Sequence, residues 1–157
     1  MEGISKAKYL VFRVRLLSGR GIDFSQQGIL REIAISPSDT LYRLAIAILR
    51  SVGFSDIHHL FMFCNKMPFG YDPVRRCYEI AYDDWTYPDM RKVTVAEAIS
   101  KMGYNLILWF DYCDDWLFRV KLLKKPPKLP EGTTLPAVLR SEGEAPEQYP
   151  FNDLEEE

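Results

Sequence analysis

A cluster of polar residues follows an apolar run in the segment FDYCDDWLFRV, residues 110–120. Two carboxylates that converge on a pocket can act as acid and base in a hydrolysis, provided that their surroundings separate their pKa values. Aspartate is also a standard turn residue, because it tolerates the left-handed backbone conformation. We expect a structural turn here and keep a hydrolase as the less favoured interpretation. The cluster consists of Asp111, Cys113, Asp114, Asp115 and Trp116.

Histidine and cysteine side chains raise two further hypotheses, a zinc site and a thiol nucleophile. His58 and His59 are adjacent, but structural zinc sites usually take paired ligands at short spacing, and the sequence has no Cys-x-x-Cys pair. We therefore expect no metal, no cofactor and no catalytic residue. Cys64, Cys77 and Cys113 form an odd set without tight pairing. This predicts free thiols and a cytoplasmic protein.

The composition is typical of a globular protein, with 47% hydrophobic and 13% aromatic residues among 157. No apolar run approaches the ~20 residues that span a bilayer. The N-terminus lacks the apolar stretch of a secretion signal. We therefore expect no association with a membrane.

Two alternating stretches, residues 104–112 and 116–123, predict a β-hairpin around the acidic cluster. A three-residue loop at 113–115 puts Tyr112 opposite Trp116 and aligns the apolar side chains of both strands on one side. A two-residue loop would place apolar residues opposite basic ones, because a shift of one residue flips every side chain. The three-residue loop is therefore the predicted one.

The predicted register also places a polar patch on the outer side of this hairpin. Trp109 lies opposite Arg119, and Asp111 follows one pair further along. A guanidinium over an indole ring is a favourable cation–aromatic contact. The patch is either a surface stabiliser or a binding spot.

Basic residues mixed with aromatic ones form a second candidate surface. Arg13 and Arg15 share the outer face of the first predicted strand. Arg75 and Arg76 lie in a predicted loop of an aromatic-rich middle region that also contains Trp85. Such a mixture suits single-stranded nucleic acid, because bases stack on aromatic rings and phosphates pair with basic groups.

Strand and helix signals around these residues predict an α+β fold. Residues 9–17 and 29–35 alternate and predict a hairpin. A single apolar stripe predicts the main helix over about 39–52, and a capping box at 94–97 opens a short helix over about 95–102. The element order resembles a ubiquitin-like β-grasp. We therefore expect a β-grasp-like mixed sheet of about five to six strands with both helices packed on it.

Charge divides the chain into two parts. Residues 1–130 carry a net charge of +5, whereas residues 131–157 carry −7. Prolines interrupt the chain after Leu123 and disfavour a central strand there. We expect one domain over 1–124, followed by a proline-containing linker and an acidic, flexible tail over 125–157. This tail could compete with an anionic ligand for the basic body.

Several motifs together resemble the plasmid Ri ORF-3-like family. The segment 110–116 is similar to that family's Y-D-F-G-D-D-W hallmark. Residues 37–41 and 52–54 resemble its P-x-D-T-L and F-G-W pieces, and 59–63 resembles its H-L-x-x-F. A proline- and acid-rich stretch at 135–147 resembles its C-terminal motif. The resemblance covers about residues 8–147 and implies an insertion-element passenger protein without an established activity.

The chain departs from this family pattern at several polar positions. Cys113 stands where the family favours Gly, and Ala45 stands where a His often follows Leu. Leu117 and Phe118 replace a Glu-His pair, and Ala145 is close to the place of a cysteine. A catalytic site shared by the whole family would depend on such residues, and these departures disfavour an enzyme here.

These observations predict a small non-catalytic interaction module that binds a protein partner. The alternative is a nucleic-acid-binding accessory protein of a mobile element, in which the acidic tail competes for the basic body. The candidate interaction surface comprises Arg13, Arg15, Arg75, Arg76, Trp85, Trp109, Asp111, Asp114, Asp115 and Arg119.

Overall fold

The computed structural model describes residues 2–56 and 59–150. Within them, one sheet of eight strands carries the helices on one side. The strands are β1 (Leu10–Gly19), β2 (Ile22–Asp23), β3 (Leu30–Ile35), β4 (Phe61–Cys64), β5 (Cys77–Ile80), β6 (Asn105–Phe110), β7 (Trp116–Leu122) and β8 (Ala137–Glu142). The α-helices are α1 (Glu2–Lys6), α2 (Leu41–Ser51) and α3 (Val95–Met102), and a 3₁₀ turn covers Met90–Lys92.

The strand order confirms an α+β protein. It runs β5-β4-β6-β7-β1-β3-β8, with β2 paired to β1 beside this path. Every strand pairing of this sheet in the described residues is antiparallel, so the prediction of a mixed sheet is wrong. The physical reason is that β7 returns from β6 as a hairpin and pairs with β1, which places an antiparallel neighbour beside the first strand. The β-grasp arrangement is not confirmed, and the described sheet has eight strands rather than about five to six.

The two predicted helices form where the apolar periodicity placed them. Helix α2 begins after Thr40, whose side chain accepts a hydrogen bond from the backbone N–H of Arg43. Helix α3 opens with the predicted capping box, in which Thr94 and Glu97 accept each other's backbone N–H bonds. The buried stripes of both helices pack on one face of the sheet and build a single core with it.

Strand β8 lies within the stretch that we expected to be a linker and tail. Residues 137–142 pair with β3 at the edge of the sheet, although we expected a linker and tail from residue 125 onward. Arg31, a buried residue of β3, explains part of this difference. Its guanidinium donates hydrogen bonds to the carbonyls of Glu142 and Gly143 at 2.8 and 3.1 Å, and these bonds tie β8 to β3. Residues 137–142, which we expected in the linker and tail, therefore belong to the sheet. The acidic residues from 151 onward lie outside the described residues.

The cysteines also differ from expectation. Cys64 and Cys77 form a disulfide, so the prediction of three free thiols is wrong for these two. They lie directly opposite each other in the β4–β5 pairing, with their Cα atoms 4.2 Å apart, which is close enough for a bridge. Cys113 is a free, exposed thiol.

The described residues contain neither a membrane-spanning helix nor a group of side chains that could hold a metal ion. Across residues 2–56 and 59–150, no helix is both long enough and apolar enough to cross a membrane. In the same residues, no group of three His, Cys, Asp or Glu side chains is placed to hold a metal ion. His58 lies outside the described part of the chain.

Candidate functional site

Side chains alternate along β7 between two very different surroundings. Trp116, Phe118 and Val120 are buried in the core under the helices. Arg119 and Lys121 point to the other side of the sheet and are exposed. We call that other side the helix-free face, because α2 and α3 both pack on the core side.

Four basic residues meet at the centre of the helix-free face. Arg15 of β1 lies opposite Arg119 of β7, and Arg13 lies opposite Lys121 in the next pair on this face. We call this group the basic quartet. The strand pairing thus unites Arg13, Arg15 and Arg119, which the sequence had placed in two separate surfaces, and it adds Lys121, which the sequence analysis did not select.

Carboxylates neutralise only one member of the basic quartet. Arg13 forms an ion pair with the buried Glu32 at 2.7 Å. Arg15, Arg119 and Lys121 have no ion pair within the residues that the structure describes. Like charges directly opposite each other on a sheet are destabilising. The quartet therefore does not serve the stability of the fold and is suited to an anionic ligand.

Aromatic side chains border the basic quartet on one side. Trp109 of β6 lies opposite Leu117 of β7. Leu117 is two residues before Arg119, so both side chains lie on the helix-free face. Its ring centroid lies 4.4 Å from that of Tyr112 and 5.0 Å from that of Phe69. Burial raises the pKa of the Tyr112 hydroxyl, and the charge of Glu79 raises it further, so this ring stays neutral at physiological pH.

The expected Trp109–Arg119 contact is not formed, because the register of the hairpin differs from the prediction. Phe110 lies opposite Trp116, so the loop holds the five residues 111–115 rather than three. The shift is two residues, which keeps each side chain on its predicted face. In the observed register Arg119 faces Ile107, and the indole N–H of Trp109 donates to Asp115 at 2.8 Å.

Phe69 belongs to a loop, residues 65–76, that the Cys64–Cys77 disulfide closes at its base. Arg75 lies within this loop and donates to the carbonyls of Met67 and Phe69 at 3.1 and 3.4 Å, so it holds the loop together. Arg76 is exposed. The loop also presents four exposed apolar side chains: Met67, Phe69, Tyr71 and Val74.

The three aspartates of the opening cluster do not converge on one pocket. Asp111 is buried in the left-handed conformation and accepts backbone N–H bonds from Cys113 and Asp114. Asp114 pairs with Arg20 at 3.1 Å. Asp115 accepts from the Trp109 indole. Each carboxylate thus has its own structural partner, which favours a turn over the acid–base pair of a hydrolase.

A hydrogen-bonded chain behind this turn was missed by the sequence analysis. His59 approaches the carboxylate of Asp111 through Nδ1 at 3.3 Å, and its Nε2 contacts the hydroxyl of Tyr149. Burial raises the pKa of Tyr149, and the charges of Asp111 and Asp114 raise it further. The His59 motif was visible in the sequence, but nothing there connected it to Tyr149, 90 residues away.

Trp85 lies in a separate cluster. The guanidinium of Arg91 sits 5.6 Å from the centre of its ring. Trp85 also lines an open cavity of about 410 Å³ with Tyr87 and Pro88. The predicted interaction surface therefore divides into the helix-free face, the acidic turn and this third cluster.

Comparisons with known proteins place the chain in a family. A family model described as plasmid pRiA4b ORF-3-like protein matches residues 20–149, and the chain belongs to this family. The family resemblance found in the sequence is thereby confirmed. No curated protein matches the chain. A solved crystal structure of a protein of unknown function from Methanosarcina mazei Go1 resembles it with a TM-score of 0.64 at 21% identity, over 89% of this chain and 72% of that one. This likeness concerns the fold.

Proposed function

We propose that this chain is a non-catalytic interaction module that binds single-stranded nucleic acid on its helix-free face. The observation that carries the proposal is the pairing of Arg15 with Arg119, two exposed guanidinium groups without a carboxylate partner in the described residues. A phosphate between them would remove the repulsion that the free protein tolerates. The sequence analysis placed a protein partner first, and this arrangement favours its alternative.

The neighbouring aromatic residues support nucleic acid over other anions. Proteins that bind single strands combine basic groups, which pair with phosphates, and exposed rings, on which bases stack. Phe69 is 50% exposed at the end of the aromatic border, and Tyr71 in the same loop is 92% exposed. An acidic protein would use the charge of the quartet but would not need flat rings beside it.

A role as a passenger protein of a mobile element fits this proposal. The family description refers to a plasmid reading frame, and a nucleic-acid-binding protein has substrates in such a setting. An enzymatic role is less well supported, because Asp114 and Asp115 are each engaged by a structural partner.

The direct test measures binding of a fluorescein-labelled single-stranded thymidine oligomer, a duplex of equal length and polyglutamate. The variant is Arg15→Gln/Arg119→Gln. Its matched control is Lys92→Gln/Lys101→Gln, which removes the same charge from exposed positions on other elements. We expect the quartet variant to lose at least about tenfold in affinity for the single strand. Its slope of log affinity against log salt should fall by about 1.4, since each lost phosphate contact contributes about 0.7.

Three outcomes would contradict the proposal. Equal losses in the quartet variant and in the control would reduce the effect to net charge. Tighter binding of polyglutamate than of the oligomer would favour an acidic protein partner instead. Absence of binding to any of the three probes would remove the helix-free face as an anion site.

Stacking can be tested separately at the loop. Phe69→Ala should weaken binding of the single strand about tenfold, because base–aromatic stacking contributes about 1–3 kcal/mol per base. Tyr82→Ala is the control, since Tyr82 is 65% exposed and belongs to a different loop. If Phe69→Ala binds the single strand with unchanged affinity, stacking on Phe69 contributes nothing and only the charge interaction remains.

The acidic tail is tested by a chain that ends after Pro150. This removes Asp153, Glu155, Glu156 and Glu157, and retains β8, which a cut at residue 130 would destroy. If the tail competes with the ligand, the shortened chain binds the oligomer more tightly at low salt, and the difference fades as salt screens the charges. Identical affinities at low salt would exclude this competition.

A further inference from the structure

The disulfide between Cys64 and Cys77 lies on the helix-free face, close to the basic quartet. Phe63, the neighbour of Cys64 on β4, is buried in the core on the other side of the sheet. Side chains alternate along a strand, so Cys64 and its opposite residue Cys77 belong to the helix-free face. Cys64 also lies opposite Ile107, which lies opposite Arg119. Two strand spacings, about 10 Å, therefore separate Cys64 from Arg119.

The loop that this disulfide closes is held together by its own contacts. We call residues 65–76 the stacking loop, because it carries the ring proposed above to stack on a base. At its base, the backbone N–H of Asn65 donates to the carbonyl of Arg76 at 3.1 Å. Further out, Lys66 forms an ion pair with Asp72 at 3.4 Å. These contacts fix the shape of the stacking loop, but they do not fix its angle to the sheet.

Phe69 joins the stacking loop to the binding face. Its ring centroid lies 5.0 Å from that of Trp109, and its side chain is still 50% exposed. A cross-link at the base of a loop removes many of the conformations that the open loop could adopt. The disulfide therefore restricts the stacking loop to positions in which Phe69 stays beside Trp109.

The position of β5 allows chemical access to the disulfide. Cys64 is 0% exposed and Cys77 is 4% exposed, so both sulfurs are covered in the closed form. However, β5 is an end strand of the sheet and pairs with β4 over four residues. Short end strands and their loops open locally at a lower free energy than the core. The sulfurs can thus react while the rest of the domain stays folded.

We propose that the Cys64–Cys77 pair is a redox switch of the single-strand site, an inference that rests on the proposed function. The disulfide form holds Phe69 beside Trp109 and binds the strand tightly. A dithiol reductant attacks one sulfur, forms a mixed disulfide and leaves as its own disulfide, so that two electrons and two protons pass to the cysteines. The stacking loop is then released, whereas the basic quartet is unchanged. Exchange with a disulfide such as oxidised glutathione reverses the step.

The experiment compares the oxidised and the reduced full chain in a Cys113→Ser background, which removes the exposed third thiol. Oxidised glutathione or dithiothreitol sets the state, and titration of thiols in the unfolded protein confirms it. The probe is the fluorescein-labelled thymidine oligomer. We expect the reduced chain to bind it about tenfold more weakly, which corresponds to the loss of one stacked base. The dependence of affinity on salt should be the same in both states, because the phosphate contacts remain.

Two ring variants show whether the switch acts through Phe69. Phe69→Ala should bind the oligomer equally weakly in both states, because the stacking contribution is already absent. Tyr82→Ala, which removes an exposed ring from a different loop, should keep the tenfold difference.

Release of the stacking loop is measured independently of binding. Trypsin should cut after the exposed Lys66 at least tenfold faster in the reduced chain than in the oxidised one. Cys64→Ala/Cys77→Ala should match the reduced chain in both binding and cleavage. If this variant does not fold, the reduced Cys113→Ser chain alone decides the question.

The outcomes separate the switch from the proposed function. Equal affinities of the two states, a redox difference that persists in Phe69→Ala, or equal cleavage after Lys66 would overturn the switch and leave the nucleic-acid site in place. Absence of binding by the oxidised chain would instead overturn the proposed function, and the switch with it.

Discussion

The two faces of the sheet use the same strands for different purposes. On β7, Phe118 is fully buried against the helices, and its neighbour Arg119 is exposed on the helix-free face. The core face gains its stability from apolar burial. The helix-free face carries a like-charged pair, Arg15 and Arg119, that the fold does not require. These two exposed residues of the second face are therefore free to serve binding.

Two arginines on neighbouring strands show the same contrast. Arg31 of β3 is 7% exposed and donates to four carbonyls, those of Ser51, Leu30, Glu142 and Gly143. Burial lowers the pKa of Arg31, but a guanidinium remains charged at physiological pH. It thereby satisfies the end of α2 and the end of β8 together. Arg15 of β1 is exposed and has no such partners in the described residues.

The difference between the core face and the helix-free face is tested most directly by substitutions at two adjacent positions of β7. Phe118→Ala should lower the free energy of unfolding by about 3–5 kcal/mol, because it leaves a cavity in the core. Arg119→Ala should change it by less than about 0.5 kcal/mol and in the stabilising direction, because it relieves the repulsion with Arg15. Urea unfolding followed by circular dichroism measures both. A loss in Arg119→Ala close to that in Phe118→Ala would show that the helix-free face is structural after all.

A second test adds volume to the core face instead of removing it. A Cβ atom on Gly19 would lie 2.0 Å from Cε3 of Trp116, whose ring is buried and packs against Phe54 at 4.7 Å between ring centroids. Gly19→Ala should therefore lower the free energy of unfolding by about 3 kcal/mol. Gly3→Ala is the control, because its added Cβ would meet no atom within 4 Å. If both variants unfold at the same urea concentration, Trp116 has room to move.

The sequence predicted those parts of the fold that local patterns determine. The apolar stripe of α2 and the capping box of α3 depend on residues within one or two turns of each other. The alternation along β7 assigned Phe118 and Arg119 to opposite faces correctly. The alternation along β1 likewise put Arg13 and Arg15 on one face of the strand.

Contacts between distant segments were not predictable in the same way. The pairing of Arg15 with Arg119 depends on β1 lying beside β7, which no local pattern determines. The predicted register of the β6–β7 hairpin was wrong by two residues. A shift of two residues keeps the apolar side chains on the same face, so only the turn distinguishes the two registers. The Cys64–Cys77 bridge and strand β8 likewise follow from pairings across the sheet.

A third prediction concerns how much Arg31 and Arg15 each contribute to the stability of the fold. Arg31→Met should lower the free energy of unfolding by about 2 kcal/mol, because it leaves the part-buried carbonyls of Ser51 and Glu142 without this donor. Arg15→Met, the same substitution on the exposed strand position, should change it by less than about 0.5 kcal/mol. Thermal or urea unfolding checks both, and amide hydrogen exchange along β8 should accelerate in Arg31→Met alone. Comparable stability of the two variants would contradict the role of Arg31 as the link between α2 and β8.

The smallest expected effect is on stability at acidic pH. It should arise on the side of the sheet that carries the helices. The side chain of Arg91 donates to Asp89 and holds the pKa of this carboxyl below its usual value. A folded-state pKa below the unfolded one stabilises the protein above about pH 4, and this contribution is lost as the pH falls through the folded value. Asp89→Asn should therefore cost less than about 1 kcal/mol at pH 7 and less again at pH 2. Arg119→Gln should show no such change between these two values, because arginine stays charged throughout. Urea unfolding at pH 7, 4 and 2 measures this, and a pH-independent difference for Asp89→Asn would mean that its carboxylate charge contributes nothing.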